Sequence, residues 1–443
     1  MSSIISSPPS ATDLVGSFTR EAFAAHLARV AHLPAWWLDR KRAAYERFAA
    51  LPLPTRTVEG WRFSNLSTLT LDGFEVGRYI PTALSASPFA EIAASSLTLV
   101  NNTFASRTLS AAETAAQHGI IFDTLQNALL QHTDLIKAHL LTQPSKLGSD
   151  KFAALHEAFL EDGAFIYVPR GVEATQPINV FHYASGPGVA VFPHTLVIAE
   201  QNAKITVSDF FRSKNPAEAH FACGGNDLYA AHGAQVTYIA MQDWSRETLS
   251  FQFNATVARR DAKVLSINLH AGARQARHES FSQLQAPGAH SEMLALTIAH
   301  GSQEFDQRTL QIHQAPNTSS NLLYKNALLD QAKTIFSGLI VVDPDAQKTD
   351  AYQSNRNLML SDEAEANSLP GLEIQANDVR CTHGATSARI DREQEFYLKA
   401  RGIKPAQAQE LLVFGFFEEV LGKIENQELH DQLSAIIREK FKA

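Results

Sequence analysis

The sequence contains very little cysteine: Cys223 and Cys381 are the only two among 443 residues. Two cysteines cannot build the disulfide framework of a small secreted protein, so a reducing compartment is expected. The first ten residues lack the charged start and the apolar run of a signal peptide. No stretch approaches the roughly 18 consecutive apolar residues of a membrane-spanning helix. The sequence therefore predicts a soluble cytoplasmic protein.

Positive charge is also scarce. Lys and Arg number 38 against 46 Asp and Glu, which gives a formal net charge of −8, and no basic block occurs. This balance argues against binding of nucleic acid or of an anionic membrane. The sequence lacks the phosphate-loop motif Gly-x-x-x-x-Gly-Lys-Ser/Thr, and it has no His-Glu-x-x-His, Cys-x-x-Cys or Gly-x-Ser-x-Gly motif. We therefore expect no stand-alone enzymatic activity.

The hydrophobic pattern divides the chain into three regions. Residues 1–160 are predicted to be a helical region with a few strands: apolar residues recur at helical spacing, Pro34 separates two helices, and a further helical stretch runs from Ala111 to about Glu161. Residues 161–390 consist of short β-rich runs between turn residues. This order predicts a mainly β protein with helices before the β region.

The third region, residues 391–443, is helical again. Its two helices carry much apolar surface, and helices of this kind need another surface to pack against. Packing on the end of the β region is one interpretation. Retention of part of the surface for a partner protein is the other.

A short unit recurs in the β-rich region: a turn residue, an alanine, a polar residue and often a β-branched residue. Its alanines are Ala203, Ala234, Ala262, Ala289, Ala332 and Ala346. The gaps of 31, 28, 27, 43 and 14 residues lie near multiples of about 14, as expected when each strand and its turn form one side of a stacked coil. This spacing favours a solenoid, specifically a parallel β-helix. A large antiparallel sandwich also spaces its strands regularly and stays an alternative.

The segment from Asn367 to Ile403 carries the main chemical signal. A predicted turn at Pro370–Gly371 precedes a strand. Cys381 and His383 then follow two residues apart, so in an extended segment both side chains point to the same face. Asp391 has the position of a helix N-cap. The segment therefore carries a thiol and an imidazole from the end of a strand region towards a helix.

Thiolate and imidazole are both ligands of iron–sulfur clusters. A cluster usually needs about four protein ligands, whereas this chain has two cysteines. If Cys381 and His383 contact a cluster, the remaining ligands must come from another subunit, which predicts a shared interfacial site. The structural alternative is that His383 makes hydrogen bonds at a strand end while Cys381 is a small buried hydrophobic residue.

The residues around this pair form a set of short motifs. They are Leu372-Glu373-Ile374, Asp378-Val379, Cys381-Thr382-His383-Gly384-Ala385-Thr386, Phe396-Tyr397-Leu398 and Arg401-Gly402-Ile403. In this combination the chain resembles the SufB/SufD family of iron–sulfur cluster assembly scaffolds. Gly384 after the histidine and the shortage of cysteine fit the SufD branch, which has serine where Thr382 stands. The resemblance is good over residues 151–422 and weaker before them.

The resemblance implies a right-handed parallel β-helix between helical ends, and a non-catalytic scaffold of the Suf iron–sulfur cluster assembly complex. It implies that the β-helix pairs with SufB and that the C-terminal helices bind the ATPase SufC, with a homodimer as the alternative for the isolated chain. By position, His383 is the interfacial histidine ligand of a transient cluster shared with SufB. Cys381 is the nearby thiol, as a ligand, a sulfur carrier or a structural residue. Reduced flavin is associated with the complex of this family.

Other chemistry-bearing residues have simpler interpretations. Cys223 has no partner at ligand spacing and is interpreted as structural. The histidines of the β region show no metal-binding pattern and are interpreted as surface or satisfied core residues. Asp343, Asp345 and Asp350 are the candidate carboxylates of an alternative function, a carbohydrate-cleaving β-helix enzyme, and are otherwise turn residues.

Overall fold

The computed structural model describes residues 15–77, 95–109 and 119–442. A 3-10 turn spans Glu59–Trp61, and the α-helices are α1 Arg20–Arg29, α2 Ala35–Ala50, α3 Leu125–Gln131, α4 Thr133–His139, α5 Asp150–Phe159, α6 Arg392–Ala400, α7 Pro405–Leu421 and α8 Gln427–Lys442. Within the described part of the chain, no helix combines the length and the apolar character needed to cross a membrane.

Strands make up most of the chain between α5 and α6. The short strands that begin the chain's β structure are β1 Glu75–Val76, β2 Ser95–Val100, β3 Thr103–Thr108, β4 Ile121–Thr124, β5 Ala164–Val168, β6 Ile178–Ala184, β7 Val189–Val191 and β8 His194–Ala199. The longer strands are β9 Lys204–Ser213, β10 His220–Ala230, β11 Gln235–Asp243, β12 Leu249–Ala258, β13 Lys263–His270, β14 Gln275–Leu284, β15 His290–Ala299, β16 Glu304–His313, β17 Ser319–Leu328, β18 Lys333–Val342, β19 Asp350–Met359, β20 Glu365–Ile374 and β21 Arg380–Arg389. The protein is therefore mainly β.

The strands form two sheets. The first has the order β20-β18-β16-β14-β12-β10-β8-β5-β4, with β1 and β7 alongside, and the second has the order β21-β19-β17-β15-β13-β11-β9-β6-β2-β3. From β8 onward the chain alternates between the sheets, and each strand is parallel to its neighbours. In the second sheet, Lys263 lies between Gln235 and His290, 28 and 27 residues away along the chain. The fold is thus a parallel β-solenoid of about eight turns, which confirms the β-helix prediction over the antiparallel sandwich.

The recurring alanines lie at the corners of the solenoid, as predicted. Ala203, Ala234, Ala262 and Ala289 are each at most 1% exposed, and each follows a residue with positive φ. Backbone hydrogen bonds join successive corners; for example, the amide of Gly233 donates to Arg260 O at 2.8 Å. A larger side chain in place of the alanine would separate these stacked corners. The repeat therefore reflects close packing between turns.

The N-terminal helices cover the outer face of the first sheet. Pro34 separates α1 from α2, as predicted. Phe18 and Phe159 pack against each other and against Phe192, which directly follows β7. The predicted helical stretch from Ala111 is wrong in part, because residues 121–124 form β4, which pairs antiparallel with β5. Its residues 111–118 lie outside the described residues. A strand partner distant in sequence overrides local helical spacing here.

The C-terminal helices pack on the side of the solenoid, not on its end. In α7 and α8, apolar residues such as Val413 and Phe417 join Ile267 and Leu294 of the second sheet in one buried cluster. Lys325, 4% exposed at its side chain, fixes α7 by donating from Nζ to Phe416 O at 2.6 Å. The interpretation that these helices cover the end of the β region is therefore wrong. The division of the chain at residues 160 and 390 stays a prediction.

Candidate functional site

The solenoid ends in two strands that have a neighbour on one side only. β20 pairs with β18 and β21 pairs with β19, and among the described strands nothing pairs with their other edges. All ten residues of β16 are buried, whereas eight of the ten residues of β21 are exposed. Unpaired amide and carbonyl groups at such an edge are ready to pair with another chain. This open end is the place where a second protein can join the solenoid.

Cys381 and His383 lie in β21 at this open end. In register they stand beside Ala351 and Gln353 of β19, which are both buried in the solenoid. The two side chains therefore point to the same face, the one that lines the interior, as their spacing predicts. In the described part of the chain no further turn covers them, so His383 is exposed and Cys381 is half-buried.

Two details of the predicted segment are wrong. Pro370 and Gly371 do not form a turn but lie inside β20, next to Gly338 and Leu339 in register. A proline is tolerated there because β20 is an edge strand, where a missing amide hydrogen need not break the ladder. In addition, β21 continues to Arg389, so the cysteine and the histidine lie near the start of a strand rather than at its end.

Cys381 has a partly apolar environment. It packs against the buried cluster that includes Ile340, Ala351 and Ala376. Burial raises the pKa of the thiol, the Asp350 carboxylate raises it further, and a backbone hydrogen bond at Ala351 opposes both. The thiol is therefore protonated at neutral pH and is neither a strong nucleophile nor a ready metal ligand until its surroundings change.

The described residues hold no group of three or more His, Cys, Asp or Glu side chains that could bind a metal ion. Cys381 and His383 are thus two donors without further ligands from the described part of their own chain. A cluster needs about four. The arrangement can hold a cluster only if another molecule brings ligands to the open end.

A layer of amide side chains lies directly beneath the open end. Gln353, Asn355 and Asn357 of β19 are buried, and Asn357 Nδ2 donates to Ser387 Oγ of β21 at 3.2 Å and to Ser368 Oγ of β20 at 3.3 Å. These contacts fasten both final strands to the turn below. This layer is not among the sequence-based predictions, although the alternation of polar amides at every second position is a signal for inward-facing residues.

The remaining candidates lie elsewhere. Cys223 is fully buried in β10, which agrees with its structural interpretation. Asp343 and Asp345 lie at the corner before β19, and Asp350 is the first residue of that strand. The histidines are mostly buried, and the description of them as satisfied is wrong for His270 and His278, whose Nε2 atoms have no hydrogen-bond partner among the described residues.

The helix after β21 exposes aromatic surface. None of the residues of α6 is buried, and Phe396 and Tyr397 are 72% and 57% exposed. The neighbouring α7 exposes Leu411 at 51%. Asp391 caps α6 as predicted, because its carboxylate accepts the amide hydrogen of Glu393 at 2.8 Å. An ordered helix with no buried side chain and two exposed aromatic rings is a candidate binding surface.

Comparisons with known proteins identify the family. Residues 181–416 match the family model described as SUF system FeS cluster assembly, SufBD core domain, and residues 21–180 match that of the SufBD protein N-terminal region. The chain belongs to the SufBD family. These matches place Cys381 and His383 within the SufBD core domain, and they disfavour the carbohydrate-cleaving alternative. The chain is therefore an iron–sulfur cluster assembly protein of the SufBD family.

Individual relatives cover most of the chain. The iron–sulfur cluster assembly protein SufD of Bacillus subtilis is 27% identical over 92% of this chain and 95% of its own length. The SufD of Escherichia coli is 30% identical over 67% of this chain and 71% of its own length. A SufBD family protein of Synechocystis is 28% identical over 89% of both chains. The similarity to SufBD proteins thus extends over nearly the whole length.

Proposed function

We propose that this chain is a non-catalytic scaffold subunit that pairs with SufB through the open end of its solenoid and contributes donors to a nascent iron–sulfur cluster there. The observation that carries the proposal is the position of His383: an exposed imidazole on the interior-facing side of the terminal strand, which pairs with β19 and has no described strand at its other edge. A second protein with a similar open end would face His383 and Cys381 and could complete the ligand set.

The two donors have different roles in this proposal. His383 is the ligand of the nascent cluster, since imidazole can replace thiolate at iron. Cys381 lies two residues away on the same face, and its protonated thiol must lose its proton before it binds iron or sulfur. Closure of the interface, which changes the burial and the charges around the thiol, is the step that sets its state. The cluster is cargo that leaves the scaffold after assembly.

The second partner in the proposal is the ATPase SufC, bound at the C-terminal helices. The exposed aromatic rings of α6 and Leu411 of α7 support this, because exposed aromatic and aliphatic side chains are typical anchors of protein interfaces. In the absence of SufB, the same open end of two copies would support a homodimer. A SufC-driven movement requires SufC to bind two arrangements of the scaffolds with different affinity.

We do not assign the flavin of the family to this chain. Two cavities among the described residues have volumes of about 280 Å³ and 80 Å³. Pockets for drug-sized ligands and cofactors usually measure about 300–1,000 Å³. Both volumes lie below this range, and the proposal uses no flavin chemistry in this chain.

The test is co-expression of the chain with SufB and SufC, followed by purification and cluster reconstitution. His383→Ala should leave the yield of the complex unchanged but reduce cluster formation at least tenfold, as measured by visible absorption and bound iron. Thr382→Ala is the matched control, because Thr382 is an exposed neighbour on the opposite face of the same strand. An intact His383→Ala complex with undiminished cluster formation would refute the site assignment.

A further inference from the structure

The cavity of about 280 Å³ lies at one corner of the solenoid, beside the C-terminal end of α4. Its sheet side is formed by the residues that directly follow β8, β10, β12 and β14, which are Glu200, Ala231, Arg259 and Gln285. Its other side is formed by Ala138, His139, Thr142 and Gln143. A cavity of about 150 Å³ holds benzene, so this one has room for a metabolite of about ten non-hydrogen atoms.

Two opposite charges lie on either side of Ala231 in the stack of corners. The amide of Ala231 donates to Ala199 O at 2.9 Å, and the amide of Arg259 donates to Ala230 O at 2.9 Å. Neighbouring strands are about 4.8 Å apart, so the backbones of Glu200 and Arg259 are about 10 Å apart. The methyl group of Ala231 fills little of the space between the carboxylate and the guanidinium, and this space belongs to the cavity.

Both charges are available to a ligand. Glu200 is half-buried and Arg259 is exposed, and among the residues that the structure describes neither side chain makes an ion pair or a hydrogen bond. A molecule with a single charge is attracted by one of the two groups and repelled by the other. A zwitterion, whose positive and negative groups lie close together, can pair with both at once.

A chain of hydrogen bonds holds the two sides of the cavity together. Gln285 Nε2 donates to Gln283 Oε1 at 3.1 Å, and Gln283 Nε2 donates to Gln143 Oε1. Gln143 Nε2 donates to the Tyr229 hydroxyl at 3.3 Å, and this hydroxyl donates to His139 O at 2.8 Å. Burial raises the pKa of Tyr229 to about 12, which keeps the hydroxyl protonated. The cavity is therefore formed before a ligand binds, and little free energy is lost in ordering its walls.

We propose that this cavity binds a free α-amino acid with a short polar side chain. The ammonium group of the amino acid donates to the Glu200 carboxylate, and its carboxylate accepts from the Arg259 guanidinium. Its side chain lies against the polar groups of Thr142 and Gln143 on the opposite wall. β16 and β18 separate this site from the open end of the solenoid, and it does not depend on the proposed scaffold function.

The test uses the full-length chain and three probes that share one amide side chain. They are L-glutamine, glutaramate, which lacks the ammonium group, and γ-aminobutyramide, which lacks the carboxylate. L-Glutamine should bind saturably and at least tenfold more tightly than either analogue, as measured by ligand-observed NMR and calorimetry. No saturable binding of L-glutamine, or equal affinities for the three probes, would overturn the proposal.

Variants without one charge assign each group of the probe to its partner. Arg259→Gln should lower the affinity for L-glutamine at least tenfold and abolish its advantage over γ-aminobutyramide. Glu200→Gln should lower it equally and abolish the advantage over glutaramate. Arg260→Gln is the matched control, because Arg260 is the next exposed arginine and does not line the cavity, so its affinity should equal that of the wild type. Equal losses in Arg259→Gln and Arg260→Gln, or no loss in Arg259→Gln and Glu200→Gln, would refute the site.

Ala231→Leu tests the cavity with both charges in place. The larger side chain occupies the space between Glu200 and Arg259, so it should lower the affinity for L-glutamine at least tenfold. Circular dichroism shows whether the variant is folded. A folded Ala231→Leu variant with wild-type affinity would contradict binding between the two charges.

Discussion

Gln353 lies next to His383 in the parallel register of β19 and β21, and this one step separates a fully buried side chain from an exposed one. At this end of the solenoid, the interior-facing position is buried in one strand and exposed to solvent in the next. The side chains that pack around Gln353 therefore also determine the surface next to His383. The candidate site is thus a property of the last two turns and not of one strand.

The packing around Gln353 requires a glycine at position 338. A Cβ atom at Gly338 would lie 2.5 Å from Gln353 Oε1 and 2.7 Å from both Phe336 Cζ and Thr309 Oγ1, and all three side chains belong to the buried interior. We predict that Gly338→Ala lowers the free energy of unfolding by about 1–3 kcal/mol, the usual cost of an overpacked core. Urea-induced unfolding followed by circular dichroism measures it.

Gly384 is the matched control for that substitution. It lies in β21 beside His383, its φ is not positive, and nothing lies within 4 Å of the position of its Cβ. Gly384→Ala should leave the free energy of unfolding unchanged or raise it by up to about 1 kcal/mol, because alanine loses less backbone entropy in a strand. Equal destabilisation by both substitutions would show that Gly338 has no special packing role.

Asn357 should stabilise the attachment of β20 and β21 to the rest of the solenoid. Its Nδ2 contacts residues of β20 and β21, and its Oδ1 accepts from Asn326 Nδ2 at 2.8 Å. Asn357→Ala leaves these buried polar partners unsatisfied, at an expected cost of about 1–3 kcal/mol. Hydrogen–deuterium exchange should become faster in β20 and β21, while exchange in β12 stays at the wild-type rate.

Asn367 provides the control for Asn357. It lies in β20, and its amide donates to Glu365 Oε1 of the same strand at 2.6 Å in an exposed position. Asn367→Ala should change the free energy of unfolding by less than about 0.5 kcal/mol. If Asn357→Ala leaves exchange in β20 and β21 at the wild-type rate, the amide layer does not hold the final turn.

The parts of this fold that the sequence predicts are those governed by local geometry. Ala203 and Ala262 mark corners because a corner must be small where turns stack, and this requirement repeats with the coil. The two-residue spacing of Cys381 and His383 sets their common face for the same reason: side-chain direction in a strand alternates residue by residue. Neither conclusion depends on knowing what lies far away in the chain.

The parts that the sequence did not predict depend on distant partners. Pro370 predicts a turn unless its strand is known to lie at the edge of a sheet. Whether β20 is an edge strand depends on how many turns the solenoid has, which the local sequence does not show. The docking of α7 on the side of the solenoid depends on apolar residues that point outward from the second sheet, such as Ile267 and Leu294. Their strands are buried on both faces, so periodicity does not separate inward from outward residues.

Buried histidines should make the protein sensitive to acid. His313 is fully buried between Thr318 Oγ1 and Ser320 Oγ, and burial lowers its pKa to about 4. Between its ordinary value of about 6.5 and pH 4 the unfolded chain binds a proton that the folded chain does not. The stabilisation is therefore complete above pH 6.5 and is lost as the pH falls, by about 2 kcal/mol at pH 5 for this residue.

The measurement is the free energy of unfolding of His313→Gln at pH 7 and pH 5. The variant should lose about 2 kcal/mol less than the wild type between these pH values, whatever its stability at pH 7. Thr349→Val is the control, because it removes a buried hydroxyl that donates to Ala346 O at 2.8 Å but does not titrate. Its stability should fall equally at both pH values. Parallel pH profiles of His313→Gln and wild type would contradict the prediction.

Phe396 tests the proposed ATPase surface. The side chain is 72% exposed on a helix that buries no residue, so Phe396→Ser should change the free energy of unfolding by less than about 0.5 kcal/mol. If the ring is an anchor of the interface, its loss should weaken SufC binding at least tenfold, since anchors of this kind contribute about 2 kcal/mol or more. Phe104→Ser is the control, an aromatic residue of β3 that is 43% exposed. Calorimetric titration with SufC measures the affinity of each variant. Equal affinities of Phe396→Ser and Phe104→Ser would contradict the assignment of the ATPase surface to α6.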